Sequence, residues 1–211
     1  FKVRYKNYPQ DVQGKRLGII GFGRIGQILA SYFHPMSQTK LLAYDPILPD
    51  EVKSSFSGMV DFVSLEELLK EADVVSIHVP LNKYTRNMIA WEQLNTMKPG
   101  AYLINVSRGG LINEQDMIKA LKEGVIRGAG LDVFENEPIE EDSPLLTMDN
   151  VILTPHTAAL TDECVVRMAT EGAKRVIDLM SGNEPEKIAN PEVLKLEKWQ
   201  KLMKRSATEG K

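Results

Sequence analysis

Short apolar runs alternate with stretches of helical spacing along most of the 211-residue chain. The first run, Leu17-Gly18-Ile19-Ile20, has buried-strand length, breaks at glycines and gives way to Ile25, Ile28 and Leu29 at helical spacing. The pattern predicts strand, tight turn, helix. A second run, Leu41-Leu42-Ala43-Tyr44, ends in Asp45. The text from 45 to 62, with two prolines and a polar cluster, reads as a connection, and a short strand-like piece ends at Val63. Ser64 with Glu67 three residues on is a capping box opening a helix through Leu68, Leu69 and Ala72. Further strands are predicted over 73–80, 101–106, 129–133 and 151–153. Helical turns are predicted over 91–97, a helix capped by Asn113 over 114–122, and a long amphipathic helix over 162–180 closed by Ser181-Gly182-Asn183. This alternation predicts an α/β fold of Rossmann type, a doubly wound parallel sheet with helices on both faces. The expected limits are a lead-in over 1–14, a nucleotide-binding domain over 15–184 and a charged tail over 185–211. In that tail Leu194, Leu196, Trp199 and Leu202 fall loosely at helical spacing.

The first turn adds chemistry. Gly21, Gly23 and Gly26 fall on G-x-G-x-x-G, where the glycines allow a tight turn, backbone approach to a pyrophosphate and close packing of helix on strand. A pyrophosphate there meets the unpaired N–H groups and positive dipole end of the helix. Asp45 lies 19 residues after Gly26, the place of an acid that binds the adenosine ribose and repels a 2′-phosphate, so NAD is the expected cofactor rather than NADP. The bland alternative is a glycine-rich turn followed by an ordinary strand-end aspartate.

Charge and composition narrow the partners. The balance of 26 Lys and Arg against 29 Asp and Glu gives a net charge of −3, with no dense basic run ahead of the tail, so nucleic acid is not an expected partner. Cys164 is the single cysteine, which forbids an internal disulfide and points to a reducing compartment. The chain shows no leader and no apolar run approaching 18 residues, so a cytoplasmic protein without a membrane partner is expected. No metal site is expected.

Three polar residues stand at or just beyond strand ends: Arg108, Glu137 and His156. A parallel sheet can gather them at one edge, where they suit reversible hydride transfer to a 2-keto acid. Arg108 would grip the carboxylate or keto oxygen. His156 would exchange a proton with the developing alkoxide, and Glu137 would orient the imidazole and favour its protonated form. Each also has a plain reading, as a solvated loop charge, one carboxylate of an acidic loop and a satisfied histidine ahead of a helix. His78 and His34 read as structural, the latter as a favourable charge at a helix C-terminus.

The segments LGIIGFGRIG, AYDP, SIHVPLNKYTRNMI, MKPGAYLINVSRGGLIN, GAGLDVFENEP and MDNVILTPHTAAL, in that order, resemble the nucleotide-binding domain of the D-2-hydroxyacid dehydrogenases. The resemblance covers about residues 14–191. It implies that Arg108, Glu137 and His156 are the catalytic arginine, glutamate and histidine. It also implies NAD contacts from Arg24, Ile25, Asp45, Pro80, Thr85, Val106, Ser107, Arg108, Asp132 and the segment from His156 through Ala158 and Ala159. The expected substrate is a small 2-hydroxy or 2-keto acid, and the expected assembly a homodimer. An apolar cluster in the sequence, Leu111, Ile112, Met117 and Ile118 with Met88, Ile89 and Trp91, fits either a dimer face or an internal core. The family's substrate domain lies mostly ahead of the glycine turn, and 14 residues precede Lys15 here. The expectation is therefore a coenzyme domain that is poorly active alone. Two other readings stand beside it: an NAD-sensing interaction module like the C-terminal-binding protein corepressors, and an inactive remnant.

Overall fold

The computed structural model of the chain describes residues 11–184 and 188–201. Its centre is a seven-stranded, wholly parallel sheet in the order β3-β2-β1-β4-β5-β6-β7, made of β1 (Leu17–Ile20), β2 (Leu41–Tyr44), β3 (Val60–Phe62), β4 (Val74–Ile77), β5 (Tyr102–Asn105), β6 (Gly128–Leu131) and β7 (Val151–Leu153). The helices are α1 (Arg24–Ser37), α2 (Asp50–Ser55), α3 (Leu65–Glu71), α4 (Trp91–Thr96), α5 (Glu114–Lys122) and α6 (Asp162–Met180). Because every strand runs the same way, all seven carboxyl ends share one edge. The order reverses between β1 and β4, which is where ligands of open α/β sheets bind.

Alternate residues on each strand feed two cores. Leu17, Ile19, Leu41 and Ala43 pack with Phe22, Ala30 and Val60 on one face. Ile20, Leu42, Val75 and Ile77 pack on the other with Leu68 and Leu69 of α3, Leu94 of α4 and Met117, Ile118 and Leu121 of α5. Phe22 stands edge-on to Phe56 and Phe62, with ring centroids 5.0 and 5.1 Å away. The predicted caps form, the Ser64 hydroxyl accepting from Glu67 N–H and Asn113 from Asp116 N–H, and Thr161 also caps α6 by accepting from Cys164 N–H.

Two expectations are corrected and one open alternative is decided. Residues 50–55, read as connection, are α2: Pro49 precedes its first turn, and Asp50 and Glu51 lie in that turn, where negative charge favours a helix. Strands β4, β5 and β6 are shorter than their apolar runs, so Val79, Val106 and Val133 lie past the ladder and begin the loops of the edge. Leu111, Ile112, Met117, Ile118 and Ile89 are all buried, with Met88 and Trp91 packed against them, so that cluster is core and not a surface awaiting a second copy. The exposed apolar side chains of α1 are instead Ile25, Ile28, Tyr32 and Met36.

The chain divides after Ala158 into two compact units. The first holds the sheet. The second contains α6, which has no buried residue and carries the ion pairs Arg175–Glu171 and Arg175–Asp178. No helix of the described residues is long and apolar enough to cross a membrane.

Candidate functional site

At the β1 and β2 ends of the edge, the site is built from backbone. Gly21 has φ +90°, and a Cβ there would lie 2.7 Å from the carbonyl oxygen of His78 on the neighbouring strand end, so the turn admits only glycine. A Cβ on Gly26 would lie 2.5 Å from the carbonyl oxygen of Gly21, which is the close packing of α1 on β1. Gly23 is different. Apart from its chain neighbours, nothing among the described residues lies within 4 Å of a Cβ placed on it, so its lack of a side chain leaves open space beside the helix N-terminus. No side chain caps α1 and its first turn holds no acid, which leaves the N–H groups of Arg24 and Ile25 without a capping acceptor among the described residues. Asp45 sits beside them, its Oδ2 accepting from Phe22 N–H at 2.9 Å and its Oδ1 from Ile47 N–H at 3.2 Å. Open backbone donors next to a half-buried carboxylate fit a pyrophosphate and a ribose diol.

At the β5, β6 and β7 ends, side chains take over. Arg108, Glu137 and His156, distant in sequence, line one cleft of about 520 Å³ with Leu81, Arg86 and Phe134. Glu137 Oε2 accepts from His156 Nδ1 at 2.8 Å, and its Oε1 accepts from Phe134 N–H at 3.1 Å. These two bonds, the histidine's first, hold the Glu137 carboxyl below its usual range. A carboxylate can only accept, so Nδ1 carries the hydrogen, and no described residue bonds Nε2, the nitrogen left to exchange a proton with a ligand. Among the described residues no group of His, Cys, Asp and Glu could hold a metal.

Two buried polar residues set this geometry. Asn105, 1% exposed at the end of β5, donates through Nδ2 to the Arg108 carbonyl and accepts at Oδ1 from Ser107 N–H, shaping the turn that presents Arg108. Asp132, 2% exposed just past β6, takes the Thr154 hydroxyl and Thr157 N–H on Oδ1 and Ala158 N–H on Oδ2. It thereby clamps the loop in which His156 adopts φ +54°, a conformation non-glycine residues seldom hold. Burial alone would push the Asp132 carboxyl up, but those three hydrogen bonds and the nearby His156 outweigh it and hold it low. The two halves of the cleft then meet at Gly109, where a Cβ would overlap the carbonyl oxygen of Phe134.

Several predicted cofactor residues are committed to the protein itself. The Ser107 hydroxyl donates to Ile77 O and the Thr85 hydroxyl to Pro80 O, while the Asp132 carboxylate is spent on its clamp. What these positions offer a ligand is the backbone they hold in place. Pro80 and Val106 are exposed at the edge, Ala158 closes the first unit and Ala159 begins the second. His78 Nε2 lies 2.9 Å from the Ser76 hydroxyl, its Nδ1 is buried without a partner among the described residues, and burial pushes its pKa down. Asn105 and Arg86 were not singled out from the sequence. The signal for Asn105 was a polar residue closing an apolar run, and Arg86 had none.

The chain is similar to a large set of known proteins. The family model described as D-isomer specific 2-hydroxyacid dehydrogenase, NAD binding domain, matches residues 2–158. Glyoxylate reductase of Korarchaeum cryptofilum is 45% identical over 186 residues, 88% of this chain and 55% of that protein. D-3-phosphoglycerate dehydrogenase of Methanocaldococcus jannaschii is 43% identical over 193 residues, 91% of this chain and 36% of that protein. Among solved structures, D-lactate dehydrogenase with NAD+ from Lactobacillus jensenii superposes with a TM-score of 0.79 at 33% identity, covering 89% of this chain and 60% of that one. The chain thus spans about half the length of the glyoxylate reductases it matches. It belongs to the D-isomer specific 2-hydroxyacid dehydrogenase family, of which it carries the NAD-binding domain.

Proposed function

We propose that this chain is the coenzyme half of an oxidoreductase that reduces a 2-keto acid to a D-2-hydroxy acid with NADH and catalyses the reverse reaction. The observation that carries this reading is the Glu137–His156 pair, 2.8 Å apart, in one cleft with Arg108. The names of the relatives, which state glyoxylate, D-3-phosphoglycerate and D-lactate, support the substrate class. NADH supplies the hydride when bound. In this reading the N–H groups of Arg24 and Ile25 and the open backbone at Gly23 receive its pyrophosphate. Asp45 receives the adenosine ribose, and backbone at Pro80, Thr85, Val106, Ser107 and Ala158 completes the groove.

Arg108 binds the substrate carboxylate or keto oxygen through its paired donors. His156 Nε2 gives a proton to the carbonyl oxygen as negative charge develops there, and takes it back in oxidation. Glu137 fixes the tautomer and supports the imidazolium. Asp132 positions His156 without touching substrate. The coenzyme domain in this reading runs over 15–184, and the assembly is a homodimer.

The test is steady-state reduction of glyoxylate, pyruvate and hydroxypyruvate by the full-length protein that contains this chain. His156→Ala is expected to lower turnover by about a hundredfold or more, the usual worth of a positioned proton donor, while NADH still binds. Glu137→Gln, which keeps the shape and removes the charge, is expected to lower it less. Undiminished turnover by His156→Ala, or no reduction of any 2-keto acid by the unaltered protein, overturns the reading.

A further inference from the structure

The cleft that holds Glu137 and His156 contains two guanidinium groups, and the reaction proposed above needs one. Arg86 lines it together with Arg108. Among the described residues neither forms an ion pair, although the Glu135 carboxylate lines the same cleft. Glu137 is paired with His156, Arg108 Nη1 donates to the carbonyl of Ser107, and no described acceptor bonds the Arg86 guanidinium.

Arg86 is nonetheless placed by its loop. Asn82 Oδ1 accepts from Tyr84 N–H at 2.8 Å and Thr85 N–H at 3.3 Å, the Thr85 hydroxyl donates to Pro80 O at 2.6 Å, and Arg86 N–H donates to Asn82 O at 3.0 Å. The next residues tie this loop to the one that presents Arg108: Asn87 N–H donates to Gly110 O at 2.8 Å and Ile89 N–H to Leu111 O at 3.2 Å. Opposite Arg86 the chain has a glycine. A Cβ on Gly110 would lie 3.0 Å from Arg86 Nη1, so the guanidinium lies against backbone where a side chain would otherwise project.

A simple 2-keto acid brings one carboxylate, which satisfies one guanidinium fork. A second guanidinium without an ion pair in the same cleft is complementary to a second negative charge on the ligand. Building on the proposed function, we infer that Arg86 determines specificity, selecting 2-keto acids that carry another anionic group, carboxylate or phosphate, beyond the keto carbon. The cleft is large enough to admit such a ligand.

The experiment uses the full-length protein with NADH and compares kcat/KM for pyruvate, with one charge, against 2-oxoglutarate and oxaloacetate, with a second carboxylate, and 3-phosphonooxypyruvate, with a phosphate. Arg86→Met keeps the bulk and removes the charge. It is expected to lower kcat/KM for a dianionic substrate about tenfold more than for pyruvate, and Arg86→Lys is expected to restore part of the difference. The arm that loses more identifies the second group as carboxylate or phosphate. Equal changes for pyruvate and every multiply charged acid overturn the assignment. Calorimetric titration of the same acids into the NADH complex of His156→Ala, with and without Arg86→Met, reads binding apart from chemistry. A preference for the additional charge that disappears with Arg86→Met supports the assignment even where no acid is reduced, whereas no preference in either protein overturns it.

Discussion

The two ends of the sheet's carboxyl edge solve recognition in opposite ways. Where β1 and β2 end, the working parts are uncapped N–H groups, glycines and a single carboxylate, and the turn is shaped by what its residues lack. Where β5, β6 and β7 end, the candidate parts are Arg108, Glu137 and His156, held by the buried polar residues Asn105 and Asp132. A cofactor's pyrophosphate can be held by backbone donors and a helix dipole, which need no side chain. Proton exchange needs one nitrogen at one place, and that precision comes from a supporting layer. The first end therefore depends mainly on backbone and on the absence of side chains, and the second depends on a chain of side-chain contacts.

The largest expected effect lies where the second end is joined. In Gly109→Ala the new methyl would overlap backbone of Phe134, which cannot rotate away, so the Arg108 loop must part from the Glu137 loop. Displacing catalytic groups by about 1 Å can cost roughly a hundredfold. Turnover is expected to fall at least that far, with a stability loss of about 1–3 kcal/mol seen in thermal melts. NADH affinity should change less than turnover. A fully active Gly109→Ala would break the contrast.

Asp132→Asn comes next. The amide keeps the shape but turns donors toward one of three donors, an expected loss of about 1–3 kcal/mol in stability. Its pH dependence has a definite sign. The folded-state carboxyl is held below its ordinary value of 3.8, so its stabilisation is complete above that value and is lost as pH falls through the lowered one. Melting temperature measured from neutral pH down to strong acid should thus fall more steeply below pH 3.8 in the unaltered protein than in Asp132→Asn. Parallel curves would remove the clamp from the account.

The smallest effect sharpens the first end. Gly23→Ala adds a methyl into space that the protein leaves open, so the melting temperature should stay nearly unchanged. NADH affinity measured by titration should weaken by about tenfold, because the methyl occupies the approach of the pyrophosphate. Unchanged affinity would mean that the open space serves no ligand.

Local order carried most of the fold in the sequence. The glycine turn, the caps at Ser64 and Asn113, and the span of α6 are set by neighbours within four residues, so the linear text states them. Asp45 and the three strand-end residues were legible because a parallel sheet brings every strand end to one edge whatever its register. What only the tertiary structure decided is which surfaces are covered and which polar groups meet. Apolar spacing marks α1 as a helix but does not reveal that Ile25, Ile28 and Tyr32 face outward in this chain, nor that Leu111 and Met117 face in. The clamp of Asp132 on Thr157 and Ala158, the support of Arg108 by Asn105 and the entry of Arg86 into the cleft depend on loops from different strands. Periodicity reports the face a residue shares with its own element, whereas burial and pairing are set by partners that can lie dozens of residues away, and only the folded chain brings those together.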